Sequence, residues 1–316
     1  MMELPSLAEL EEAAAIVYRH MPPTPQYRWP LLAERTGTEL WLKHENHTPV
    51  GAFKLRGGLV YFHHLAKVPG VVAATRGNHG QSIAYCAREY RLPATIVVPH
   101  GNSVEKNAAM RALGARLIVH GHDFQAAKEF AESLARDERL HMVPSFDRRL
   151  VLGVASASLE LFRVVPDLDV LYVPIGLGSG ICGAIAARET LGLRTEIVGV
   201  VSAHARAYAT SFAERRPIEM PVATRIADGM AVRTPDRAAL EVIWRHVERV
   251  VEVTDEEVAR AIALIFECTH NVAEGAGAAP VAAITKERAR VGGRKVGAML
   301  SGGNIDRPLL AQALRS

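Results

Sequence analysis

The chain alternates short apolar runs with longer helical stretches, and this alternation restricts the folds open to it. The apolar runs predict strands at 39–44, 70–74, 94–98, 116–120, 141–143, 170–174, 196–202 and 295–300. The stretches between them predict helices at 6–20, 53–65, 80–90, 103–113, 124–136, 255–267 and 279–291, with a loop and helix at 176–191. Continuous apolar strands separated by helices indicate a parallel sheet covered by helices. The predicted fold class is therefore α/β.

Other local signals mark helix ends and connections. Ser6 and Thr254 stand where helix N-caps are expected, and Glu9 follows Ser6 at the spacing of a capping box. Residues 21–30 are rich in proline and are predicted to be a connector. Residues 206–235 show no clear periodicity and are predicted to mix loop with short helix.

Composition excludes several classes of protein. The 316 residues carry a net charge of only +3, from 37 basic and 34 acidic residues, so neither nucleic acid nor an anionic membrane is an expected partner. Because no apolar run approaches about 18 residues, no membrane span is expected. The cysteines, Cys86, Cys182 and Cys268, lie far apart and outside any metal-binding spacing. Reduced cysteines used as small apolar residues predict a cytoplasmic protein.

Lys54 is the first candidate for chemistry. It lies between Phe53 and Leu55 and just before Arg56. Apolar surroundings and a neighbouring cation both disfavour the protonated amine, so the pKa of Lys54 is expected to fall. A neutral lysine amine can attack an aldehyde and form a Schiff base. For Lys54 alone, an ordinary solvated helix lysine is the competing interpretation.

Gly176–Gly180 follows a predicted strand and precedes an alanine-rich helix. Glycines let backbone N–H groups converge on one anion, and a helix N-terminus adds a favourable dipole, so this segment could hold a phosphate. The spacing matches neither a dinucleotide fingerprint nor a nucleotide P-loop. Glycines that serve only a tight turn are the alternative.

Two more polar segments follow predicted strands. In Thr75–Gly80, the N–H groups and the Thr75 hydroxyl could hold a substrate carboxylate, with Asn78 as an amide donor and His79 as a titratable donor. In Ser301–Asn304, the serine hydroxyl could hydrogen-bond a ring nitrogen without placing a charge on it. In open α/β sheets, ligands bind beyond the carboxyl ends of the strands. Plain turns and helix caps are the alternatives for both segments.

Five motifs in register carry a resemblance to a known family. They are Ala52–Gly57, Gly77–Gln81, Gly176–Gly180, Ile226–Gly229 and Leu300–Asn304. Together they resemble the fold-type II pyridoxal-phosphate (PLP) enzymes of the tryptophan-synthase β-like family. Their nearest match within that family is the branch of threonine/serine dehydratases and serine racemases. The resemblance spans nearly the whole chain.

The resemblance implies PLP as cofactor and assigns roles to individual residues. Lys54 is implied to form the Schiff base and later to move the substrate α-proton. Asn78 is implied to bind the 3′ oxygen of the cofactor, and Ser301 its pyridine nitrogen. The remaining cofactor-binding residues are implied to be Phe53, Gly176, Leu177, Gly178, Ser179 and Gly180. The residues implied around the substrate are Thr75, Arg76, Gly77 and His79.

The resemblance also implies an organisation and an activity. A small mobile domain at 70–147 is expected to close over the substrate, with 1–69 and 148–316 forming the large PLP-binding domain. The family is often a homodimer or higher homo-oligomer. The implied activity is an ammonia-lyase reaction that converts L-threonine, L-serine or a similar β-hydroxy amino acid to a 2-oxo acid and ammonia. The alternatives, in descending order, are threo-3-hydroxyaspartate ammonia-lyase, then serine racemase, a β-replacing synthase or a non-catalytic PLP-binding protein.

Two departures from the family pattern refine this expectation. Serine racemases carry a serine where this chain has Arg76, and a guanidinium is a poor proton donor near neutral pH, so efficient racemisation is not expected. Arg76 could instead pair with a second substrate carboxylate, point to solvent or pair with a structural acid. Residues 200–208 lack the carboxylates that bind a divalent cation in eukaryotic-type racemases, so no metal site is predicted. A regulatory domain of the biosynthetic dehydratases is not expected either.

Overall fold

Ten strands are divided between two sheets in this computed structural model, which describes residues 2–316. The strands are β1 (Gln26–Arg28), β2 (Glu39–His44), β3 (Val71–Ala74), β4 (Ala94–Val98), β5 (Arg116–Val119), β6 (His141–Met142), β7 (Val170–Pro174), β8 (Glu196–Ser202), β9 (Arg249–Val253) and β10 (Lys295–Leu300). The larger sheet has the order β1-β2-β10-β7-β8-β9, and only its β1–β2 pair is antiparallel. The smaller sheet, β5-β4-β3-β6, is entirely parallel.

Helices connect and cover the strands. They are α1 (Leu7–Val17), α2 (Pro30–Thr36), α3 (Lys54–His63), α4 (Asn78–Glu89), α5 (Val104–Ala112), α6 (Phe124–Asp137), α7 (Arg148–Val164), α8 (Ser179–Thr190), α9 (Ala207–Glu214), α10 (Arg237–His246), α11 (Asp255–Thr269), α12 (Gly275–Lys286), α13 (Arg288–Val291) and α14 (Arg307–Ala313). Short 3₁₀ helices span Glu45–His47 and Asp228–Met230. The predicted α/β class is confirmed.

The strand order gathers three of the four candidate site segments at one edge of the larger sheet, while the Thr75 loop follows β3 of the smaller sheet. Strands β2, β10 and β7 are parallel neighbours, so their carboxyl ends lie on the same side. The segments that follow these strands carry Lys54, Ser301 and Gly176 respectively. The sequence predicted this convergence only as a general property of open α/β sheets.

The structure confirms all eight predicted strands to within one or two residues at their ends, and it confirms both predicted N-caps. The prediction of a single helix over 279–291 is wrong at both ends, because α12 spans Gly275–Lys286 and α13 is a separate helix over Arg288–Val291. Glycine weakens a helical pattern, yet here it permits close packing. A Cβ on Gly275 would lie 2.1 Å from the Ile226 carbonyl oxygen, and one on Gly277 would lie 2.4 Å from that of Gly302.

The prediction of a plain connector at 21–30 is also wrong. Strand β1 lies inside this segment and pairs with β2, while Pro30 is the first residue of α2. Proline is well suited to the first helical position, because its missing N–H has no intrahelical partner there. Residues 206–235 contain α9 and the Asp228–Met230 3₁₀ helix, as predicted.

Helix α7 is a long element that the sequence pattern did not reveal, and it is buried along most of its 17 residues. It packs against α8 and α3. Two glycines allow the close approach: a Cβ on Gly153 would lie 2.1 Å from the Arg56 carbonyl oxygen, and one on Gly183 would lie 3.0 Å from Ala155. Helix α7 therefore packs closely against the first turn of α3, the helix that begins with Lys54.

A buried group of charges surrounds Arg56, a residue of α3. The Arg56 guanidinium donates to both oxygens of Glu45, at 2.7 and 3.0 Å, and to both oxygens of Glu160, at 2.6 and 2.9 Å. The Lys43 ammonium donates to Glu160 at 2.5 Å, and the Thr24 hydroxyl donates to Glu45 at 2.6 Å. Two cations and two carboxylates therefore neutralise each other inside the protein, with their hydrogen bonds satisfied.

No helix within residues 2–316 is long and apolar enough to cross a membrane.

Candidate active site

Lys54 is the first residue of α3, and its amine points to the start of α8. The Nζ atom donates a hydrogen bond to Ser179 Oγ at 3.0 Å and lies 5.0 Å from the centroid of the Phe53 ring. Burial disfavours the charged form and lowers the pKa of Lys54 to about 8. The predicted contribution of Arg56 is wrong, because that guanidinium pairs with Glu45 and Glu160 and burial alone lowers the pKa.

The backbone of Lys54 is tied to α4. Ser82 Oγ donates to the Lys54 carbonyl oxygen at 2.8 Å. Gly58 permits this approach, since a Cβ there would lie 2.2 Å from Ser82 Oγ. Helices α3 and α4 are therefore in direct contact behind the amine.

The predicted phosphate loop, Gly176–Gly180, leads into the 12-residue helix α8, and no side chain caps this helix. The first N–H groups of a helix lack intrahelical partners, so they are available to an anion. Gly178 has φ +100°, in the left-handed region that favours glycine. A Cβ on Gly176 would lie 2.4 Å from the Gly229 carbonyl oxygen. Leu177 is part of the same turn, and its carbonyl oxygen accepts a 2.8 Å hydrogen bond from the Tyr208 hydroxyl.

Thr75 organises the second predicted loop from within. Its Oγ1 accepts hydrogen bonds from the N–H groups of Gly77, at 2.9 Å, and Gly80, at 3.2 Å. The hydroxyl proton of the buried Thr75 therefore remains as a donor. Gly77 is also required for packing, because a Cβ there would lie 2.4 Å from Lys106 Cδ.

Hydrogen bonds fix the orientation of the Asn78 amide. The Val50 carbonyl oxygen can only accept, so the Asn304 atom 2.8 Å away is its donor nitrogen. That nitrogen also donates to Asn78 Oδ1 at 2.9 Å. Asn78 Nδ2 in turn donates to Glu274 Oε1 at 2.6 Å, which leaves one Nδ2 hydrogen for another partner.

His79 is buried, and burial first and the nearby Lys54 charge second lower its pKa to about 3. It is therefore neutral near pH 7 rather than the titratable donor predicted from sequence. Its Nε2 is buried and finds no hydrogen-bond partner within residues 2–316. The Nε2 atom of a neutral imidazole can still form one hydrogen bond with a ligand, as donor or acceptor according to the tautomer.

Ser301 lies beside the lysine segment. Its carbonyl oxygen accepts a hydrogen bond from the Phe53 N–H at 3.0 Å, and Ala52 bridges to Gly302. The Ser301 side chain is buried. The structure thus brings Phe53, Lys54, Ser179 and Ser301 together from three separate parts of the chain.

Arg76 lies within the Thr75 loop and is partly exposed. Across the described residues it makes no ion pair and no hydrogen bond through its side chain. Arg76 therefore does not pair with a structural acid. Its other two predicted roles, contact with solvent and binding of a second substrate carboxylate, remain compatible with the structure.

Three charged residues near Asn78 had no predicted role. Lys106, on α5, donates to Asp228 at 2.6 Å and lies 3.3 Å from Glu274 Oε2. Asp228 belongs to the Ile226–Gly229 motif, but its partner was not identifiable from sequence. For Glu274 a signal existed, since it is a lone carboxylate in the apolar run from Val272 to Ala279.

No group of three or more histidine, cysteine, aspartate or glutamate side chains in the described part of the chain is arranged to hold a metal ion.

The geometry agrees with comparisons to known proteins. Residues 17–302 match the family described as pyridoxal-phosphate dependent enzyme. The chain belongs to this family, so its cofactor is PLP, as predicted.

Individual relatives show which branch the chain resembles. A protein named L-threonine ammonia-lyase from Thermotoga maritima is 36% identical over 280 residues, which cover 87% of this chain and 70% of the relative. A threonine deaminase structure from the organism abbreviated T.th. superposes with a TM-score of 0.90 at 29% identity, covering 96% of this chain and 99% of that one. A maize serine racemase structure superposes with a TM-score of 0.92 at 25% identity, covering 99% and 98%.

The residues present fit PLP. An amine with a lowered pKa lies 3.0 Å from the first residue of an uncapped helix, where phosphate binding is favourable. Side chains at Gly176 or Gly178 would clash with the Gly229 carbonyl oxygen or with Ala239, so the turn requires glycine.

Proposed function

We propose that this protein is an ammonia-lyase that converts L-threonine and L-serine to a 2-oxo acid and ammonia. The observation that carries the proposal is the Lys54 amine, with its pKa lowered to about 8, beside Ser179 at the N-terminus of α8. The names of the Thermotoga maritima and T.th. relatives favour this reaction over others in the family.

Several residues would hold the cofactor. Lys54 would bind it through Nζ, and the N–H groups from Leu177 to Gly180 would hold its phosphate. Asn78 and Ser301 would hydrogen-bond its ring substituent and ring nitrogen. When bound, PLP supplies an electron sink for the negative charge that develops at the substrate α-carbon.

The chain's own residues would orient the substrate and move its proton. The Thr75 hydroxyl proton and the free N–H groups of its loop suit the substrate carboxylate. Because the pKa of Lys54 is lowered to about 8, about half of its amine is neutral at that pH, and a neutral amine suits removal of the α-proton. His79 stays neutral and adds no charge beside the amine.

A substrate screen tests this proposal. Incubation of holoenzyme with L-threonine, L-serine and both 3-hydroxyaspartate diastereomers is expected to release 2-oxo acid and ammonia in equal amounts. L-threonine and L-serine are expected to be the preferred substrates. Release of neither product from any of them would reject a lyase and favour a non-catalytic PLP-binding protein.

The unpaired Arg76 supports a second candidate, an ammonia-lyase for 3-hydroxyaspartate. A partly exposed guanidinium without a partner in the Thr75 loop could bind the second carboxylate of such a substrate through two parallel hydrogen bonds. The same residue stands where racemases have a serine, so it also favours elimination over racemisation.

Arg76→Ala separates these two candidates. If Arg76 binds a second carboxylate, the ratio of kcat/KM for 3-hydroxyaspartate to that for threonine is expected to fall by about tenfold or more, since a charged hydrogen bond is lost. The measurement is 2-oxo acid formation from both substrates by wild type and variant. An unchanged ratio would show that Arg76 does not bind the second carboxylate.

Three sequence predictions stay proposals at this point. The segment 70–147, which contains the smaller sheet, is proposed to move as a small domain over the large domain formed by 1–69 and 148–316. The protein is proposed to be a homodimer or higher homo-oligomer and to act in the cytoplasm. Sedimentation of the holoenzyme would measure the oligomeric state.

A further inference from the structure

A buried carboxylate lies directly behind the predicted cofactor-binding amide. Glu274 is 2% exposed, and its Oε1 accepts the 2.6 Å hydrogen bond from Asn78 Nδ2. Its Oε2 is buried and has no hydrogen-bond donor in residues 2–316, although the Lys106 ammonium lies 3.3 Å away. Burial of a carboxylate is costly, so its presence calls for a specific role.

The hydrogen-bond pattern defines what Glu274 does. The orientation of Asn78 follows independently from Val50 and Asn304, and it requires that Glu274 Oε1 accept rather than donate. Burial raises the pKa of the Glu274 carboxyl, and the Lys106 ammonium 3.3 Å away opposes that rise. Oε1 can accept the Asn78 hydrogen bond in either protonation state, because a proton can reside on Oε2. Lys106 is in turn held by Asp228 at 2.6 Å.

Helix α5 brings this ammonium to the site from the smaller sheet. Two further contacts at the start of α5 reach the segment after β10: Ser103 Oγ donates to Asp306 at 2.5 Å, and Glu105 accepts from the Arg307 N–H at 2.9 Å. Lys106 therefore belongs to a set of contacts that joins α5 to the elements of the larger sheet.

We propose that Glu274, held by Lys106, is a positioning residue that fixes the Asn78 amide with its free N–H available to the ring oxygen of PLP. This inference rests on the cofactor-binding role given to Asn78 in the proposed function. Glu274 itself touches neither cofactor nor substrate and acts through Asn78.

A double-mutant cycle on cofactor affinity tests the proposal. Apoenzyme forms of Glu274→Ala, Asn78→Ala and the double variant are titrated with PLP, and the absorbance spectrum of each bound form is recorded. Each single variant is expected to weaken PLP affinity by about tenfold. Glu274→Ala removes the hydrogen bond that holds Asn78, and Asn78→Ala removes the proposed hydrogen bond to the ring oxygen of PLP. The double variant is expected to match the singles within about twofold, because Glu274 acts only through Asn78.

Conservative and control variants separate positioning from general stability. Glu274→Gln keeps an acceptor oxygen and is expected to stay within about threefold of wild type, while Glu267→Ala, at the surface, is expected to bind PLP normally. If Glu274→Ala does not fold, Lys106→Met takes its place in the cycle, with the surface variant Lys128→Met as control. Effects that multiply in the double variant, or normal PLP affinity in Glu274→Ala, would overturn the inference.

These results are independent of the substrate. A holoenzyme that releases no 2-oxo acid from any amino acid would reject the proposed reaction, yet the cycle would still measure how Glu274 acts on cofactor binding. Normal turnover with a multiplying cycle would reject the positioning role alone.

Discussion

Lys54→Ala is expected to eliminate 2-oxo acid formation and the covalent attachment of PLP. The variant lacks the amine that is proposed both to bind the cofactor and to take the α-proton. Loss of a positioned proton-transfer group alone costs about 10²- to 10⁴-fold. Borohydride reduction followed by mass mapping is expected to find the cofactor on Lys54 in wild type and nowhere in the variant.

A matched control is Lys67→Ala, because Lys67 is an exposed lysine shortly after α3. It is expected to retain full loading and turnover. Reduction that places the cofactor on Lys43 or Lys106 would show that the lysine assignment is wrong.

The pH dependence of loading follows from the same amine. Only the neutral amine attacks the aldehyde, so the rate at which apoenzyme captures PLP is expected to rise with pH through a pKa of about 8 and then level off. An ordinary lysine would continue to gain rate beyond about pH 10. Stopped-flow absorbance at several pH values measures this profile.

Arg56→Met is expected to lower the free energy of unfolding by about 3–5 kcal/mol, since removal of one partner leaves buried charge uncompensated. Glu45 loses its paired hydrogen bonds at 2.7 and 3.0 Å, and Glu160 retains only Lys43 as a cation. Urea unfolding of the holoenzyme followed by circular dichroism measures the effect.

The control is Arg35→Met, in an exposed pair with Glu267 at 2.7 Å. It is expected to change the free energy of unfolding by less than about 1 kcal/mol, because solvent screens such pairs. Similar losses of unfolding free energy in Arg56→Met and Arg35→Met would show that burial does not account for the contribution of Arg56 to stability.

The loss of stability in Arg56→Met relative to wild type is expected to depend on pH. Burial alone would raise the pKa of Glu45, but the charges of Arg56 and Lys43 outweigh it and hold the pKa below its ordinary value. A lowered carboxyl pKa contributes stability above the unfolded pKa and loses it as pH falls through the folded pKa. In Arg56→Met the pKa of Glu45 is expected to rise instead. The gap between variant and wild type should therefore be wide at pH 7.5 and narrower near pH 5.

The sequence predicted eight of the ten strands because each of those is a short, mostly apolar run bounded by turn residues. It missed β1 and β9, in which polar and charged residues interrupt the apolar run. It also missed α7, whose buried stretch from Leu150 to Phe162 contains the polar residues Ser156, Ser158 and Glu160 among its apolar ones. Asp147, which caps α7 by accepting from the Arg149 N–H, was the available signal. Similarly, Pro30 at the start of α2 was grouped with the prolines before it.

The candidate site could be predicted where its residues are neighbours in sequence. The glycines of the α8 turn and the Thr75 loop are local motifs, so their approximate positions followed from strand ends. Glu274 and Lys106 could not be predicted together, because only the packing of α5 against the larger sheet's elements brings their side chains within 3.3 Å. The neutral state of His79 likewise depends on burial, which sequence does not report.

The contact between α3 and α4 would limit what the proposed closing motion of 70–147 can change. Ser82 holds the carbonyl of Lys54, and α4 itself begins with Asn78 at the end of the Thr75 loop. An opening that keeps this contact would admit or release a small molecule without altering the spacing between the amine and the Thr75 loop. Entry and release of small molecules would then not depend on the position of the Lys54 amine. Substitutions that widen the entrance would be expected to speed product release without changing the rate of proton transfer.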